Sequence, residues 1–355
     1  MAYTRFGVND ALAVKLWSKG LDAEALKATP IAPLIGDGTN SIIQRKTETG
    51  KGSGDKVTYG LRLQLTGDGF TENEVAEGNG ESLSIYSDGL LINELGHVVS
   101  AASNNTIDAQ RVPFEIRSEC KDGLADWFAK RMSVSFFNQV CGFTAETRTK
   151  YAGLNAIAAP SSGRVLRPTG SNDQALGSSN LFTLDLIDKA KEMAETASPK
   201  IRPVKVGSDD YYVCYLHPYQ VTDLRTTTAT GQWLDIQKAA MAGGMVDKSP
   251  IFTGALGVYN GVVLRSAVDV TQGVNSSTSA AISTVRRAVF LGAQAAVIGF
   301  GQDNGPTRYR WNEELFDHKR RMEVSAWTIF GLKKTQFNNV DFGTIVISTY
   351  AAAHG

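Results

Sequence analysis

An alternating row with no core of its own constrains this sequence more than any other feature. Val57, Tyr59, Leu61, Leu63 and Leu65 alternate with Thr58, Gly60, Arg62, Gln64 and Thr66, the period of two that marks a half-buried strand. A polar, Gly-rich stretch from Gly67 to Gly80 turns the chain, and Leu83 and Ile85 start a return arm that reaches about Leu95. Arms of about 15 residues at roughly 3.3 Å each give a hairpin on the order of 50 Å long. A two-stranded hairpin is marginal in water by itself. The row Val57, Tyr59, Leu61, Leu63, Leu65 is therefore expected to pack on a neighbouring subunit.

The elements around the hairpin form a definite order. Residues 1–46 read as an arm: a short amphipathic piece from Leu12 to Lys27 with Leu12, Leu16 and Trp17, then Pro30, Pro33 and a Gly36-Asp37-Gly38 turn. Pro113 opens the longest helical pattern, which Gly142 stops. Ile116, Cys120, Leu124, Trp127, Val134 and Phe137 fall on one stripe of it and are expected to form its core face. A second helix runs from Leu184 to Ala197, capped by Thr183. Beyond Pro199 and Pro203, strands at Tyr211–Leu216, Tyr259–Val268, within Arg287–Phe300, at Val324–Leu332 and at Thr344–Thr349 mix with a short helix at Trp233–Met241. Arm, hairpin, long helix and a mixed unit make an α+β chain.

Chemistry finds little purchase. The lysine of Gly50-Lys51-Gly52 lacks the rest of a phosphate loop, and GxGxxG before a helix, GxSxG and HExxH are absent. Cys214 and His217 are three apart at the end of a strand, on opposite faces. Glu314 and His318 share a helical face if WNEELFDHKRR is helical, but a metal needs two further ligands, so a surface ion-pair cluster is the plainer reading. Asp303-Asn304-Gly305 reads as a turn. No enzyme activity, cofactor or metal is expected. The 36 basic and 36 acidic residues cancel, which argues against a chain whose main task is gripping nucleic acid. Cys120, Cys141 and Cys214, with no CxxC, fit a reducing interior, and the early Arg5, Asn9, Asp10 and Lys15 leave no room for a signal peptide. The most apolar stretch, Ala288–Gly301, is too short to span a bilayer, so neither secretion nor membrane insertion is expected.

Longer stretches carry a resemblance. QRVPFEIRSECKDGLADWFAKR ending at Arg131, YYVCYLHPYQVTDLRT from Tyr211, WLDIQKAAMAGGMVDKSPIFTGALGVYNGVV from Trp233 and the C-terminal DFGTIVISTYAAAHG together resemble the tailed-phage major capsid proteins of the coliphage N-four type. The similarity runs from the hairpin to the end. It implies the Hong Kong 97-type capsid fold: an N-terminal arm (1–46), an extended loop (47–95), a peripheral domain with a long spine helix from Pro113 to Cys141 (96–200), an axial domain (201–334), and a last strand returning to the peripheral domain (335–355). It further implies self-assembly as pentamers and hexamers into an icosahedral virion shell, built in the bacterial host cytoplasm around double-stranded DNA that the inner face touches weakly and without sequence preference. Separate scaffolding and portal proteins, and in some relatives decoration proteins, are the implied partners. Some relatives carry lysine–asparagine cross-links. Lys51 and Lys56 lie near the hairpin, but no paired Asn and carboxylate stand out, so cross-linking is not expected. An encapsulin-like compartment of the same fold and a cytosolic α/β hydrolase or transferase stay open as alternatives.

Overall fold

The computed structural model of the protein describes residues 21, 29–46, 54–62, 65, 67–83, 85–102, 106–113, 115–226, 256–301 and 308–354. The expected helices at 12–27 (apart from buried Leu21) and 233–241, the residues at 50–52 and 303–305, and Leu63 lie outside them.

In chain order the strands are β1 (Ile35–Gly36), β2 (Ile43–Lys46), β3 (Lys56–Arg62), β4 (Ile85–Leu91), β5 (Asn93–Ala102), β6 (Val165–Leu166), β7 (Val204–Val206), β8 (Asp209–Leu216), β9 (Gly257–Tyr259), β10 (Val262–Ser266), β11 (Gln272–Val274), β12 (Ala281–Leu291), β13 (Ala296–Phe300), β14 (Tyr309–Phe316), β15 (Arg321–Lys334), β16 (Gln336–Phe337), β17 (Val340–Asp341) and β18 (Thr344–Tyr350). The helices are α1 (Ile107–Arg111), α2 (Ile116–Val140), α3 (Thr149–Ala152), α4 (Leu184–Thr196) and α5 (Pro218–Thr226). A six-stranded sheet has the order β1-β2-β13-β15-β14, with β5 also on β15; an eight-stranded sheet runs β6-β18-β12-β8-β10-β9, with β11 on β12 and β7 on β8.

Helix α2 joins the two sheets. Its first half lays Cys120, Leu124 and Phe128 on Tyr309, Trp311, Met322, Val324 and Ala326 of the six-stranded sheet. Its second half, Met132, Phe136, Phe137 and Val140, sits in one core with Ile43, Ile298 and Leu332 from that sheet and Val213, Tyr215, Val289 and Leu291 from the other. The far face of the eight-stranded sheet, with Tyr212, Cys214, Leu264 and Phe290, is covered by α4 through Leu186, Ile187 and Ala190. A sheet buried on both faces explains why Ala288–Leu291 reads as continuous apolar sequence.

The expected helix stripe is offset. Cys120, Leu124 and Phe137 are buried, but Ile116, Trp127 and Val134 are only half-buried, and the deep line steps by four through Cys120, Leu124, Phe128, Met132 and Phe136. Trp127 lies at the rim, its ring stacked on His97 at 4.5 Å with the Arg131 guanidinium 5.1 Å from its centroid. A pattern search favours the largest apolar side chain, whereas the sheet surface selects its neighbour Phe128, edge-on to Tyr309 at 4.8 Å. Past residue 131 both sheets enclose the helix, so no stripe survives there to read. The start also differs. Pro113 does not open α2 but separates it from α1, because the residue before a proline is steered away from helical geometry.

The helix stops as expected. Gly142 has φ 62°, its N–H donates to Gln139 O at 3.2 Å and that of Phe143 to Asn138 O at 3.0 Å, the pair of bonds that closes a left-handed C-cap. A side chain there would also strike Pro160 Cδ at 2.5 Å. Buried Arg287 of β12 completes the cap: its Nη1 donates to Gly142 O at 2.7 Å and Cys141 O at 3.2 Å, and its Nε to Asp173 at 2.8 Å. Burial pushes the Asp173 carboxyl up, but Arg287 and Arg167 override it and hold the acid below its ordinary range.

Two other expectations are corrected. Residues Trp311–Arg321 form no helix: Tyr309, Trp311 and Glu313 face inward along β14, and the chain turns into β15 through Asp317, His318 and Lys319, all with φ between 49° and 73°. Left-handed backbone at three non-glycine residues costs on the order of 1–2 kcal/mol each. Glu313 is buried and paired with Arg117 at 2.7 Å, and a carboxylate at an inward position hid the strand's alternation. The sheets also cut across the expected domain boundaries. β13, β14 and β15 belong to the sheet on α2, not to a unit ending at residue 334, and β18 does not return to that sheet but lies beside β12 in the other.

The corrected register has a direct check in urea unfolding. Phe128→Ala is expected to remove about 3–5 kcal/mol of stability, and Trp127→Ala at the rim only about 1–2 kcal/mol. The reverse order would restore the Trp-centred stripe.

Candidate assembly surface

The hairpin has two unlike parts. β3 and β4 are seven residues each and pair antiparallel from Lys56↔Leu91 to Arg62↔Ile85. The inward row is buried on its own chain: Val57, Tyr59 and Leu61 are 6%, 6% and 4% exposed and pack with Leu90, Val297, Phe337 and Phe342. These three are therefore core residues and not the intersubunit face expected for them. Apart from Leu90 of β4, these partners come from β13, β16 and the residue after β17, so distant in sequence that a local pattern shows the face without its cover. Of the other two, Leu63 lies outside the described residues and Leu65 is 56% exposed.

Polar groups fix the base of the hairpin. Asp88 of β4 pairs with Lys333 of β15. It also accepts hydrogen bonds from Tyr59 Oη at 3.1 Å and Gln336 N at 3.3 Å. Burial first, and the Asp88 charge second, push the Tyr59 phenol above its usual range, so it stays a donor. Asn155 grips the end of β4: Leu91 N donates to its Oδ1 at 2.9 Å, and its Nδ2 donates to Leu91 O at 2.7 Å. Gly331 passes so close beneath that an added Cβ would lie 2.1 Å from Leu91 O. The neighbouring Lys334 points to the other face of β15, as strand period requires. It forms a buried pair with Asp341 at 2.8 Å, and its Nζ donates to Ala158 O at 3.2 Å.

Beyond the base nothing from its own chain covers the hairpin. Every described residue from 65 to 83 is exposed. Apolar side chains recur there and at the start of β4, with Phe70 50%, Val75 68% and Ile85 59% exposed, together with Leu83, while Tyr86, though exposed, sets its ring edge-on to Phe337 at 4.7 Å. The loop is ordered by its own polar groups: Gly67 N donates to Glu81 at 2.8 Å and Thr71 N to Glu74 at 2.9 Å. Apolar residues concentrated on one projecting segment are the mark of an interaction surface.

No reactive constellation competes with this surface among the described residues. None of their His, Cys, Asp and Glu groups gathers three or more in a metal-holding arrangement. Cys214 is buried in β8 with its thiol pushed up to about 12 by burial, and burial takes His217 down to about 4, where its Nδ1 accepts from Tyr219 N at 3.2 Å. No described helix is long and apolar enough to cross a membrane. Sequence reasoning missed Asp88, Asn155 and Lys333, whose roles depend on tertiary contacts. The exposed Phe70 and Val75 were readable as apolar residues in a polar turn, a signal that the strand row overshadowed.

Loss of the Asp88 carboxylate should loosen the hairpin. Asp88→Ala removes the carboxylate that Lys333 and Tyr59 share, leaving Lys333 with Gly89 O at 3.2 Å, and is expected to cost about 2–3 kcal/mol. Limited proteolysis should then cut β3 and β4 before the rest of the chain. Unchanged stability and unchanged cleavage would show that the anchor lies elsewhere.

Comparison with known proteins agrees with this geometry. Residues 5–353 match the family described as phage capsid protein. The major capsid protein of Pseudomonas phage KPP25 is 25% identical over 380 residues, covering 99% of this chain and 98% of that protein. Among solved structures, the capsid of Ralstonia phage GP4 superposes with a TM-score of 0.77 at 30% identity over 91% of each chain. The cyanophage Pam1 capsid shares the fold, with a TM-score of 0.68 at 21% identity over 93% of this chain and 94% of that one.

Proposed function

The chain belongs to the phage capsid protein family, and from that premise we propose how this major capsid protein builds a virion shell from copies of itself. The observation that carries the reading is the division of the hairpin: a base locked into its own subunit by Asp88, Asn155 and Lys333, and a tip whose apolar side chains Leu65, Phe70, Val75 and Leu83 are exposed. Assembly supplies the missing contacts, so the tip, with Leu65 included, is the intersubunit element and Val57, Tyr59 and Leu61 are its foundation. The near-neutral overall charge limits repulsion between packed copies.

In finer terms, we read the fold as Hong Kong 97-type and the subgroup as the coliphage N-four type. The hairpin is the extended loop and α2 the spine helix. The six-stranded sheet with α2 corresponds to the peripheral domain and the eight-stranded sheet to the axial domain. The shell is an icosahedral assembly of pentamers and hexamers around double-stranded DNA, which the inner face meets through non-specific contacts, and it forms in the host cytoplasm with separate scaffolding and portal proteins. The role is structural, without catalysis. No specific observation favours the compartment or enzyme alternatives.

Electron microscopy and sedimentation of the expressed chain test this reading. Wild-type protein is expected to form shells, and Phe70→Asp with Val75→Asp is expected to leave a folded subunit, by circular dichroism, that does not assemble, because each buried charge costs several kcal/mol at a contact. A wild-type chain that stays monomeric under all conditions, or a double variant that assembles like wild type, would contradict it.

A further inference from the structure

Charge is unevenly placed on this neutral chain. Residues 65–86 contain Asp68, Glu72, Glu74, Glu77 and Glu81 and no Lys or Arg, so the hairpin tip is an acidic surface studded with Phe70 and Val75. A counterpart exists elsewhere on the molecule. The β14–β15 turn presents Lys319, Arg320 and Arg321 in succession, all exposed, beside the exposed ring of Phe316. Several other exposed cations among the described residues are engaged within the chain, as in Arg111–Asp108, Lys130–Asp269, Arg148–Glu146 and Lys189–Asp185. Among the described residues Lys319, Arg320 and Arg321 form no ion pair, and Asp317 is the one acid in their turn.

The turn and the anchor of the hairpin sit at opposite ends of one strand. β15 carries the turn at its first residue, Arg321, and the hairpin anchor Lys333 near its last. β5 leaves the hairpin base with Asn93 opposite Phe330 and reaches Ala102 opposite Arg321, a separation on the order of 30 Å. Within one subunit both tip and turn are left exposed, and they can meet between two. A contact joining two different surfaces of identical subunits is head-to-tail and closes into a ring where the rotation between subunits closes. Acid with Phe70 and Val75 on one side, and base with Phe316 on the other, match in charge and in apolar content.

We propose that the hairpin tip of one copy docks on the Lys319–Arg321 turn of the next, with Asp68, Glu72 and Glu77 facing the three cations and Phe70 and Val75 against Phe316. The proposal rests on the shell-forming reading above and names the partner surface of its hairpin. The left-handed backbone at Asp317–Lys319 turns the chain, the three cations beside it are exposed before docking, and charge steers the encounter.

Charge reversal and its rescue test the contact in the full chain. One variant carries Lys319→Glu, Arg320→Glu and Arg321→Glu; a second carries Asp68→Lys, Glu72→Lys and Glu77→Lys; a third carries all six. Both surfaces are exposed, so each variant is expected to keep the wild-type circular dichroism spectrum. At low salt the first two should lose about tenfold or more in shell yield by sedimentation, and the third should recover to near the wild-type yield. A Gln version of the tip set, which removes charge without reversing it, should give an intermediate yield. Wild-type shells together with either reversed variant assembling normally, or with a folded six-fold variant that is not rescued, would overturn the tip-to-turn contact while leaving the shell reading intact. Failure of the wild type itself to assemble would instead remove the reading on which it rests.

Discussion

Arg287 is the interaction on which the rest of the arrangement depends. Its side chain leaves β12 in the eight-stranded sheet and binds the carbonyls of Cys141 and Gly142 just past the end of α2, while Asp173 neutralises it from behind. Cations are favoured at helix C-termini by the aligned peptide dipoles, and a buried arginine is tolerable only with such partners; removing one member of a buried pair typically costs about 3–5 kcal/mol. The clamp sets where α2 ends, and so places Met132, Phe136, Phe137 and Val140 between the two sheets. From there the order passes outward: α2 holds β15, and β15 holds the hairpin on one face through Lys333 and the loop at Ala158 on the other through Lys334.

That chain of supports explains the two characters of the hairpin. A β-ribbon alone would fray, and a ribbon covered on both faces would have nothing to offer a neighbour. Here one face near the base is core, with Val57, Tyr59 and Leu61 against Val297, Phe337 and Phe342. The outer segment projects from that fixed base, so a neighbour meets a pre-oriented surface and little ordering entropy opposes the contact. A shell protein needs this combination, because many identical contacts must form with the same geometry.

The order of elements was legible in the sequence wherever burial imposed a simple period. The Val57–Leu61 row, the Val324–Thr328 row, the Thr344–Thr349 strand and the Gly142 stop appear where pattern places them. Legibility failed where tertiary context decided. The alternation of β14 was masked by Glu313, whose inward carboxylate is explained by Arg117 on another element. The choice of Phe128 over Trp127 depends on the sheet beneath the helix. The hairpin's row reads as a face that needs cover, but the cover comes from residues 297–342 of the same chain, and nothing local distinguishes that from a neighbouring subunit. The assembly surface was visible only as a polar turn with apolar residues in it.

Hydrogen exchange on the unassembled subunit and on the assembled shell tests the central claim, that the hairpin base belongs to its own subunit and the tip to a neighbour. The account expects amides of β3 and β4 near Val57–Leu61 and Ser87–Leu91 to be protected in both states, and those of residues 67–83 to gain protection only in the shell. Protection at Val57–Leu61 arising only on assembly, or a tip equally exposed in both states, would contradict it.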